Sequence, residues 1–160
     1  DRIINEQDNA KTYVVNRYKR LNKNDYFQKV KEYTIRQSPD KVITTIDNVS
    51  ILSLVLPPDS KVTWNGNLYN IQDSEKHWYT NINKPSDINS VLFTNTITVM
   101  ERKDSSAINN YTGMKQYDSG VGMIYAEQMD YEYCQETPDC IGSGKIDSGF
   151  FRVKKITESN

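Results

Sequence analysis

The chain is poor in the residues on which metal and nucleophilic chemistry depend. Its 160 residues include one histidine, His77, and two cysteines, Cys134 and Cys140. A structural zinc site takes four nitrogen or sulfur ligands, and a redox pair takes a C-x-x-C spacing, so we expect neither. A catalytic triad would need His77 as its base, and His77 stands beside Trp78 and Tyr79 in a predicted loop. We therefore expect no metal, no cofactor and no enzymatic activity.

Long apolar runs are also missing. The longest, Ile51 to Leu56, is interrupted by Ser53 and is far shorter than the roughly 20 residues that a membrane-spanning helix needs. Nothing near Asp1 looks like a charged segment followed by an apolar signal segment. Because the chain starts with Asp rather than Met, we expect a leading segment before it. This part of the protein is expected to fold in water.

Neither sign of charge dominates. The chain has 20 Lys and Arg against 21 Asp and Glu, a formal net charge of -1, so its totals show no nucleic-acid footprint. A basic stretch with interleaved tyrosines, from Arg17 to Lys31, could contact phosphates. Acidic residues around it favour the simpler interpretation, the solvated face of a helix. The length predicts a single domain over residues 1–160.

The two cysteines are separated by a turn-forming insert, Gln-Glu-Thr-Pro-Asp. We predict a structural disulfide between Cys134 and Cys140, which would close a loop of about 7 residues and stabilise the fold by about 2 kcal/mol. Such a bond favours an oxidising compartment. Two reduced thiols in a cytosolic loop are the alternative.

Apolar spacing in the first 46 residues predicts three helical segments. A long first helix is followed by Asn22–Asp25 as capping residues, by a second short helix, and by a third turn that Ser38-Pro39 would begin. The apolar positions of the three segments are, in order, Ile3, Ala10, Tyr13, Val14, Tyr18 and Leu21; Tyr26, Phe27, Val30, Tyr33 and Thr34; and Val42, Ile43 and Ile46.

After Ser50 the apolar spacing changes to two, which predicts strands. Strands are expected over residues 50–56, 62–69 with a hairpin at Asn65-Gly66, 90–103, 123–133 and 150–154. Residues 70–89 and 104–119 are predicted as loop and polar connection. In the last strand Phe151 and Val153 share one face, and Phe150, Arg152 and Lys154 share the other. Helices followed by an antiparallel meander predict an α+β fold, with the first helix packed on a curved sheet.

The acidic residues of the predicted 123–133 strand do not form a catalytic pair. Glu127 points to the face opposite Asp130 and Glu132, so a solvated strand face explains them best. Gly120-Val121-Gly122 lacks the helix and the downstream acid of a dinucleotide motif and predicts a bulge or close backbone approach.

Short segments at both ends of the chain resemble a known family. They are NAKTYVVNRY over residues 9–18, NDYF over 24–27, IRQSP over 35–39, the strand Tyr125–Tyr133 and the terminal GFFRV. Together they resemble the periplasmic domain of the eighth VirB protein, the inner-membrane assembly subunit of bacterial type IV secretion systems. The chain departs from that family where Ile-Asp-Ser-Gly, residues 146–149, replaces Asn-Pro-Leu-Gly, and in its cysteine loop.

The resemblance implies a nuclear-transport-factor-two-like α+β domain on the periplasmic face of the inner membrane, held by a preceding single-pass helix. Its function would be non-enzymatic scaffolding, with the inner-membrane and core-complex subunits of the channel as partners and transient contact with the exported substrate. Self-association is a further expectation, which the altered turn leaves open. The contact residues it implies are Asp147, Ser148, Gly149 and Phe150. Tyr13, Arg17 and Tyr18, which would shape the first helix, are further contact candidates, but core packing is the favoured interpretation of Tyr13 and Tyr18.

Two other functions compete with this interpretation. A type IV pilin or pseudopilin headgroup, a filament subunit, also begins with a long helix and often closes its C-terminal loop with a disulfide. A small-ligand pocket in the same sheet would be lined by Tyr125, Tyr131, Trp64 and Phe93.

Overall fold

Eleven β-strands form the fold in the computed structural model, which describes residues 2–7 and 9–156. All neighbouring strands whose register is resolved run antiparallel. In chain order the strands are β1 (Arg2–Gln7), β2 (Ala10–Lys19), β3 (Gln28–Gln37), β4 (Lys41–Ile46), β5 (Val49–Val55), β6 (Thr63–Asn65), β7 (Lys76–Ile88), β8 (Val91–Ser105), β9 (Asn109–Asp118), β10 (Gly122–Tyr133) and β11 (Ile146–Lys155).

One compact unit comprises Asp1–Pro57 and Asn65–Ser74. It holds a five-stranded sheet in the order β1-β2-β3-β4-β5. Ala10 and Val14 on β2 and Leu52 and Leu54 on β5 are buried in it. The backbone N–H of Leu52 also donates to the carbonyl of Gly66 at 2.8 Å, so part of the segment 65–74 is attached alongside β5.

The other compact unit comprises Pro58–Trp64 and Glu75–Asn160. It holds a six-stranded sheet in the order β11-β10-β9-β8-β7-β6. Ile88, Phe93 and Ile124 form a buried cluster, against which Tyr125 and Ile156 pack. On β8 the adjacent residues Thr98 and Val99 are both buried. Because successive side chains point to opposite faces of a sheet, the middle of β8 is covered on both sides.

The predicted α+β fold with N-terminal helices is wrong: the described residues contain no helix, and strands account for 65% of the chain. The residues assigned to the first helix lie on β1 and β2 and in the loop after β2. Ala10, Val14 and Tyr18 are spaced by four, and a spacing of four fits both a helical face and a strand face. Thr12, Val14 and Val15 are β-branched, which favours the strand.

The second and third predicted helices are strands β3 and β4 for related reasons. Residues 42–46, Val-Ile-Thr-Thr-Ile, are all β-branched, and the pleated sheet accommodates such side chains better than a helix does. The residues interpreted as helix caps form turns instead. The N–H of Asp25 donates to the carbonyl of Asn22 at 3.1 Å, and the N–H of Ser38 donates to the carbonyl of Lys41 at 2.9 Å. Asn, Asp and Ser serve both purposes.

Strand predictions after Ser50 were confirmed where apolar alternation is strong and wrong where it is weak. The predicted strands over 50–56, 90–103, 123–133 and 150–154 correspond to β5, β8, β10 and β11. The prediction of a hairpin at Asn65-Gly66 is wrong because the residues after Asn65 form turns. The predictions of a loop over 70–89 and a polar connection over 104–119 are wrong because these segments contain β7 and β9. Of the residues predicted to form a bulge, Gly120 and Val121 lie in the turn between β9 and β10, and Gly122 is the first residue of β10.

Polar residues are the reason that the sequence pattern did not predict β7 and β9. β7 contains Asn83, Lys84 and Pro85, which are typical of turns. The strand accommodates them because its register against β8 shifts at three places. β9 is mostly polar, yet it pairs with β8 on one side and β10 on the other. Its place in the sheet is therefore set by its neighbours rather than by its own apolar pattern.

The predicted disulfide is confirmed. Cys134 and Cys140 are bonded, with their Cα atoms 5.7 Å apart, and they close the loop between β10 and β11. Cys134 is buried, and its N–H donates to the carbonyl of Lys145 at 2.9 Å. The disulfide thus joins the start of the loop to its middle, and the hydrogen bond to Lys145 holds the start beside the end, just before β11 begins.

Reduction of this disulfide should lower the melting temperature by about 4–8 °C, because a loop of this length contributes about 2 kcal/mol and the chain has 160 residues. The measurement is thermal unfolding followed by circular dichroism, with and without dithiothreitol. The double variant Cys134→Ala/Cys140→Ala is the control, and its melting temperature should not respond to the reductant. An unchanged melt of the native chain with two alkylatable thiols would contradict the predicted contribution.

Candidate protein contact surface

The last strand, β11, is an outer strand of the six-stranded sheet within the described residues. It pairs with β10 along its whole length: Ile146 stands opposite Tyr133 at one end, and Lys155 stands opposite Tyr125 at the other. All ten of its residues are exposed. A strand with one partner presents a row of backbone N–H and C=O groups along its other side, and another strand can pair with that row. We call Ile146–Lys155 the β11 edge.

Apolar side chains occupy both faces of the β11 edge. Phe151 and Val153 stand opposite Met129 and Glu127 of β10, whereas Phe150 stands opposite Asp130. This alternation is the one predicted from the sequence. Phe151 is 54% exposed, and Phe150 and Val153 are also exposed. An exposed cluster of large apolar residues is typical of a contact surface.

Charges and a bulge limit the length of the β11 edge that another strand can use. The register shifts between Glu132 and Tyr133, whose partners are Ser148 and Ile146, so Asp147 is the extra residue of a bulge. Lys154 and Lys155 end the strand. Bulges and lysines are common means of restricting unwanted edge pairing. The stretch between them, residues 148–153, is the accessible part.

Gly149 lets β11 approach β10 closely. Its φ angle is +127°, and a Cβ placed on it would lie 2.0 Å from the carbonyl oxygen of Asp130 and 2.8 Å from the Cα of Tyr131. Only glycine fits this position without displacing backbone. The predicted contact residues Asp147, Ser148, Gly149 and Phe150 are all exposed, but they lie inside β11 rather than in a turn before it.

The other three predicted contact residues belong to the other compact unit. Tyr13, Arg17 and Tyr18 lie on β2 and pair with β3, opposite Ile35, Lys31 and Lys29 in that order. Tyr13 is half-buried, while Arg17 and Tyr18 are exposed. They do not shape a helix, because β2 is a strand.

Two cation–aromatic contacts involve exposed phenylalanines, one on the β11 edge and one near the end of β2. On the β11 edge, the guanidinium carbon of Arg152 lies 5.0 Å from the centroid of the Phe150 ring. At the end of β2, the guanidinium carbon of Arg20 lies 4.6 Å from the Phe27 ring. Such contacts contribute a small favourable energy. Each ring is exposed while a cation lies near its face.

His77 is packed inside the compact unit that holds the six-stranded sheet. It lies on β7 rather than in a loop and is 1% exposed. Its Nε2 is 3.0 Å from Oε1 of Glu75, and its ring meets the edge of Trp64 at a centroid distance of 5.8 Å. Trp64 in turn lies against Tyr79. Substrate in bulk water has no direct access to such a ring.

Two of the carboxylates of β10 accept hydrogen bonds from neighbouring hydroxyl groups. Glu127 accepts a hydrogen bond from the Tyr125 hydroxyl at 2.6 Å, and Glu132 accepts one from Ser148 at 2.9 Å. Among the described residues, no group of three or more His, Cys, Asp and Glu side chains could hold a metal ion.

The aromatic residues proposed to line a ligand pocket are dispersed. Phe93 and Tyr125 belong to the cluster around Ile124, while Trp64 packs near His77. Tyr131 is six residues beyond Tyr125 on β10, about 20 Å along the strand. These four rings therefore do not surround one cavity.

Burial against the Ile124 cluster, together with the hydrogen bond to Glu127, raises the pKa of Tyr125 to about 12. Both effects disfavour the phenolate, since burial removes solvation and a neighbouring carboxylate repels the new charge.

Comparison of the chain with family models, with curated proteins and with solved structures gave no match. The described residues include no helix with the length and apolar character that crossing a bilayer requires. The N-terminal segments that resemble the secretion-system subunit lie on β2, in the loop after it, on β3 and in the turn that follows β3. Membership in that family, and the pilin alternative with its long first helix, gain no support from these strands.

Substitution Gly149→Ala should lower the free energy of unfolding by about 2–5 kcal/mol or detach β11 from β10, since it adds backbone strain and overlap with Asp130. Urea unfolding and amide hydrogen exchange of β10 and β11 would measure this. Gly120→Ala is the matched control, because the nearest atom to its added Cβ is 3.6 Å away. Equal stability of the two variants would contradict the close approach at Gly149.

Tyr125 should titrate later than an ordinary tyrosine. Its raised pKa means that the fold favours the neutral phenol, so this contribution to stability is complete below pH 10 and is lost as the pH rises through about 12. The difference in phenolate absorbance between the native chain and Tyr125→Phe should therefore appear near pH 12. Glu127→Gln should shift it part of the way down. A difference signal centred near pH 10 would contradict the assignment.

Proposed function

We propose that this chain is a non-enzymatic assembly domain that works in an oxidising compartment and associates with a second copy of itself through the β11 edge. The observation that carries the proposal is that all ten residues of β11 are exposed, with the apolar side chains of Phe151 and Val153 on one face and that of Phe150 on the other. Backbone pairing would supply affinity, and these side chains would supply specificity.

The residues of β11 are self-complementary when two copies pair antiparallel. In a two-fold symmetric antiparallel pair, one residue stands opposite its own copy. With Phe151 at that position, Phe150 stands opposite Arg152. This contact repeats between chains the ring–guanidinium contact already made within one chain.

The expected association is weak. Pairing is limited to residues near 149–153 by the bulge at Asp147, and this contact is small beside the roughly 800 Å² that each partner contributes to a stable interface. We therefore expect a dissociation constant in the micromolar range or above. Weak self-association through a guarded edge is suited to an assembly subunit that other contacts reinforce.

The disulfide supports the compartment in this proposal, because bonds of this kind persist where conditions are oxidising. The burial of His77 supports a structural role for the sole histidine. Contact with other subunits of a secretion channel, at the periplasmic face of the inner membrane, stays a prediction from the resemblance. The β11 edge is the surface that we would assign to such partners.

Substitution Phe151→Lys should weaken the dimer about tenfold or more, because it removes an aromatic pair and places like charges directly opposite each other. Sedimentation velocity over a range of concentrations would measure the dissociation constant. Phe27→Lys is the matched control, since it makes the same change at an exposed phenylalanine of the other unit.

Circular dichroism should show that both variants fold. A native chain that stays monomeric at millimolar concentration, or a dimer that Phe151→Lys leaves intact, would contradict the proposal.

A further inference from the structure

The end of the β2–β3 hairpin exposes an unusual amount of apolar surface. We call residues 17–31 the hairpin tip; it comprises the last part of β2, the loop 20–27 and the start of β3. Leu21 is 82% exposed and Tyr26 is 94% exposed. The large apolar residues that the tip exposes are Tyr18, Leu21, Tyr26, Phe27 and Val30.

The hairpin tip is also strongly basic. Its 15 residues include six Lys and Arg and one acidic residue, Asp25, which gives a net charge of +5. Because the whole chain carries -1, the remaining residues sum to -6. Part of the tip charge is paired at its base, where Lys29 meets Glu32 at 2.5 Å and Lys31 meets Asp47 at 2.6 Å. Positive charge is thus concentrated at one end of one hairpin.

Local hydrogen bonds hold the loop in shape. The Asn22 backbone N–H and side-chain amide both donate to Oδ2 of Asp25 at 2.9 Å. The Arg20 guanidinium donates to the carbonyl of Lys23 at 2.6 Å and covers one face of the Phe27 ring. These hydrogen bonds join residues of the loop to one another, while Leu21 and Tyr26 remain exposed.

We propose that the hairpin tip docks on the surface of a bilayer that contains anionic lipids. Leu21, Tyr26 and Phe27 would enter the boundary between headgroups and acyl chains, where aromatic residues are favoured. Lys19 and Lys29 lie one or two residues behind the loop, on β2 and β3. At about 3.4 Å per residue this puts them within roughly 10 Å of the apolar end, the depth at which lipid phosphates lie.

Charge and side-chain type favour a membrane over the other occupants. A second copy would bring +5 against +5 at the same contact, which is repulsive. A nucleic acid would use the cations and the aromatic rings, but it would gain little from exposed Leu21 and Val30, since stacking needs a planar side chain. An anionic bilayer uses all three types of side chain together.

Co-sedimentation with phosphatidylcholine vesicles, with and without phosphatidylglycerol, tests the proposal. The chain should bind the vesicles that contain phosphatidylglycerol, and binding should fall as salt is raised. Lys19→Gln/Lys23→Gln should weaken binding about 25-fold, at about fivefold for each cation. Leu21→Ser/Phe27→Ser should weaken it by about tenfold or more, because apolar area no longer enters the bilayer.

The control is Lys84→Gln/Lys103→Gln, which makes the same charge change on exposed lysines of the other unit and should bind like the native chain. Circular dichroism checks that every variant folds. No binding to anionic vesicles, or equal loss in the control pair, would overturn the proposal. The proposal would also be overturned if the chain did not bind vesicles and the hairpin tip instead bound single-stranded DNA or another copy of the chain.

Discussion

Pairing of each strand with its neighbour in sequence is the constraint on which the rest of this structure depends. In both sheets the spatial order of strands follows the chain order. An open meander of this kind necessarily ends in strands that have one partner. The six-stranded sheet ends at β11, so its last ten residues present backbone groups outward together with Phe151 and Val153. The candidate contact surface is thus a direct consequence of the topology.

The same constraint explains why Gly149 and the disulfide matter. Within the described part of the chain, β11 pairs with no strand other than β10, so its place in the sheet depends on that pairing. Gly149 allows the backbones to come together beside Asp130, and the bond between Cys134 and Cys140 shortens the free loop that precedes β11. In the other unit, the β2–β3 hairpin ends in a loop that its own hydrogen bonds hold, and this leaves apolar and basic side chains exposed together.

The sequence predicted the strands whose apolar residues alternate strictly. It did not predict the strands whose conformation depends on pairing with their neighbours in the sheet. Alternating apolar residues predict β8, β10 and β11, and the turn-forming insert between the cysteines predicts the disulfide. Ala10, Val14 and Tyr18 led to the wrong prediction of a helix because a spacing of four fits a helix face and a strand face alike. The β-branched residues around them indicate the strand that is observed. β9 is polar and gains its strand conformation from the neighbours on either side. The exposure of Phe151 and Leu21 could not be read from a sequence, since it depends on which strands and loops remain uncovered.

Amide hydrogen exchange measured as a function of protein concentration tests most directly whether β11 is an edge that accepts another strand. The account predicts that protection of amides in residues 148–153 rises with concentration, while the interiors of β8 and β9 stay constant. Protection in β11 that is already complete in dilute solution, or that does not change over the whole range, would contradict it.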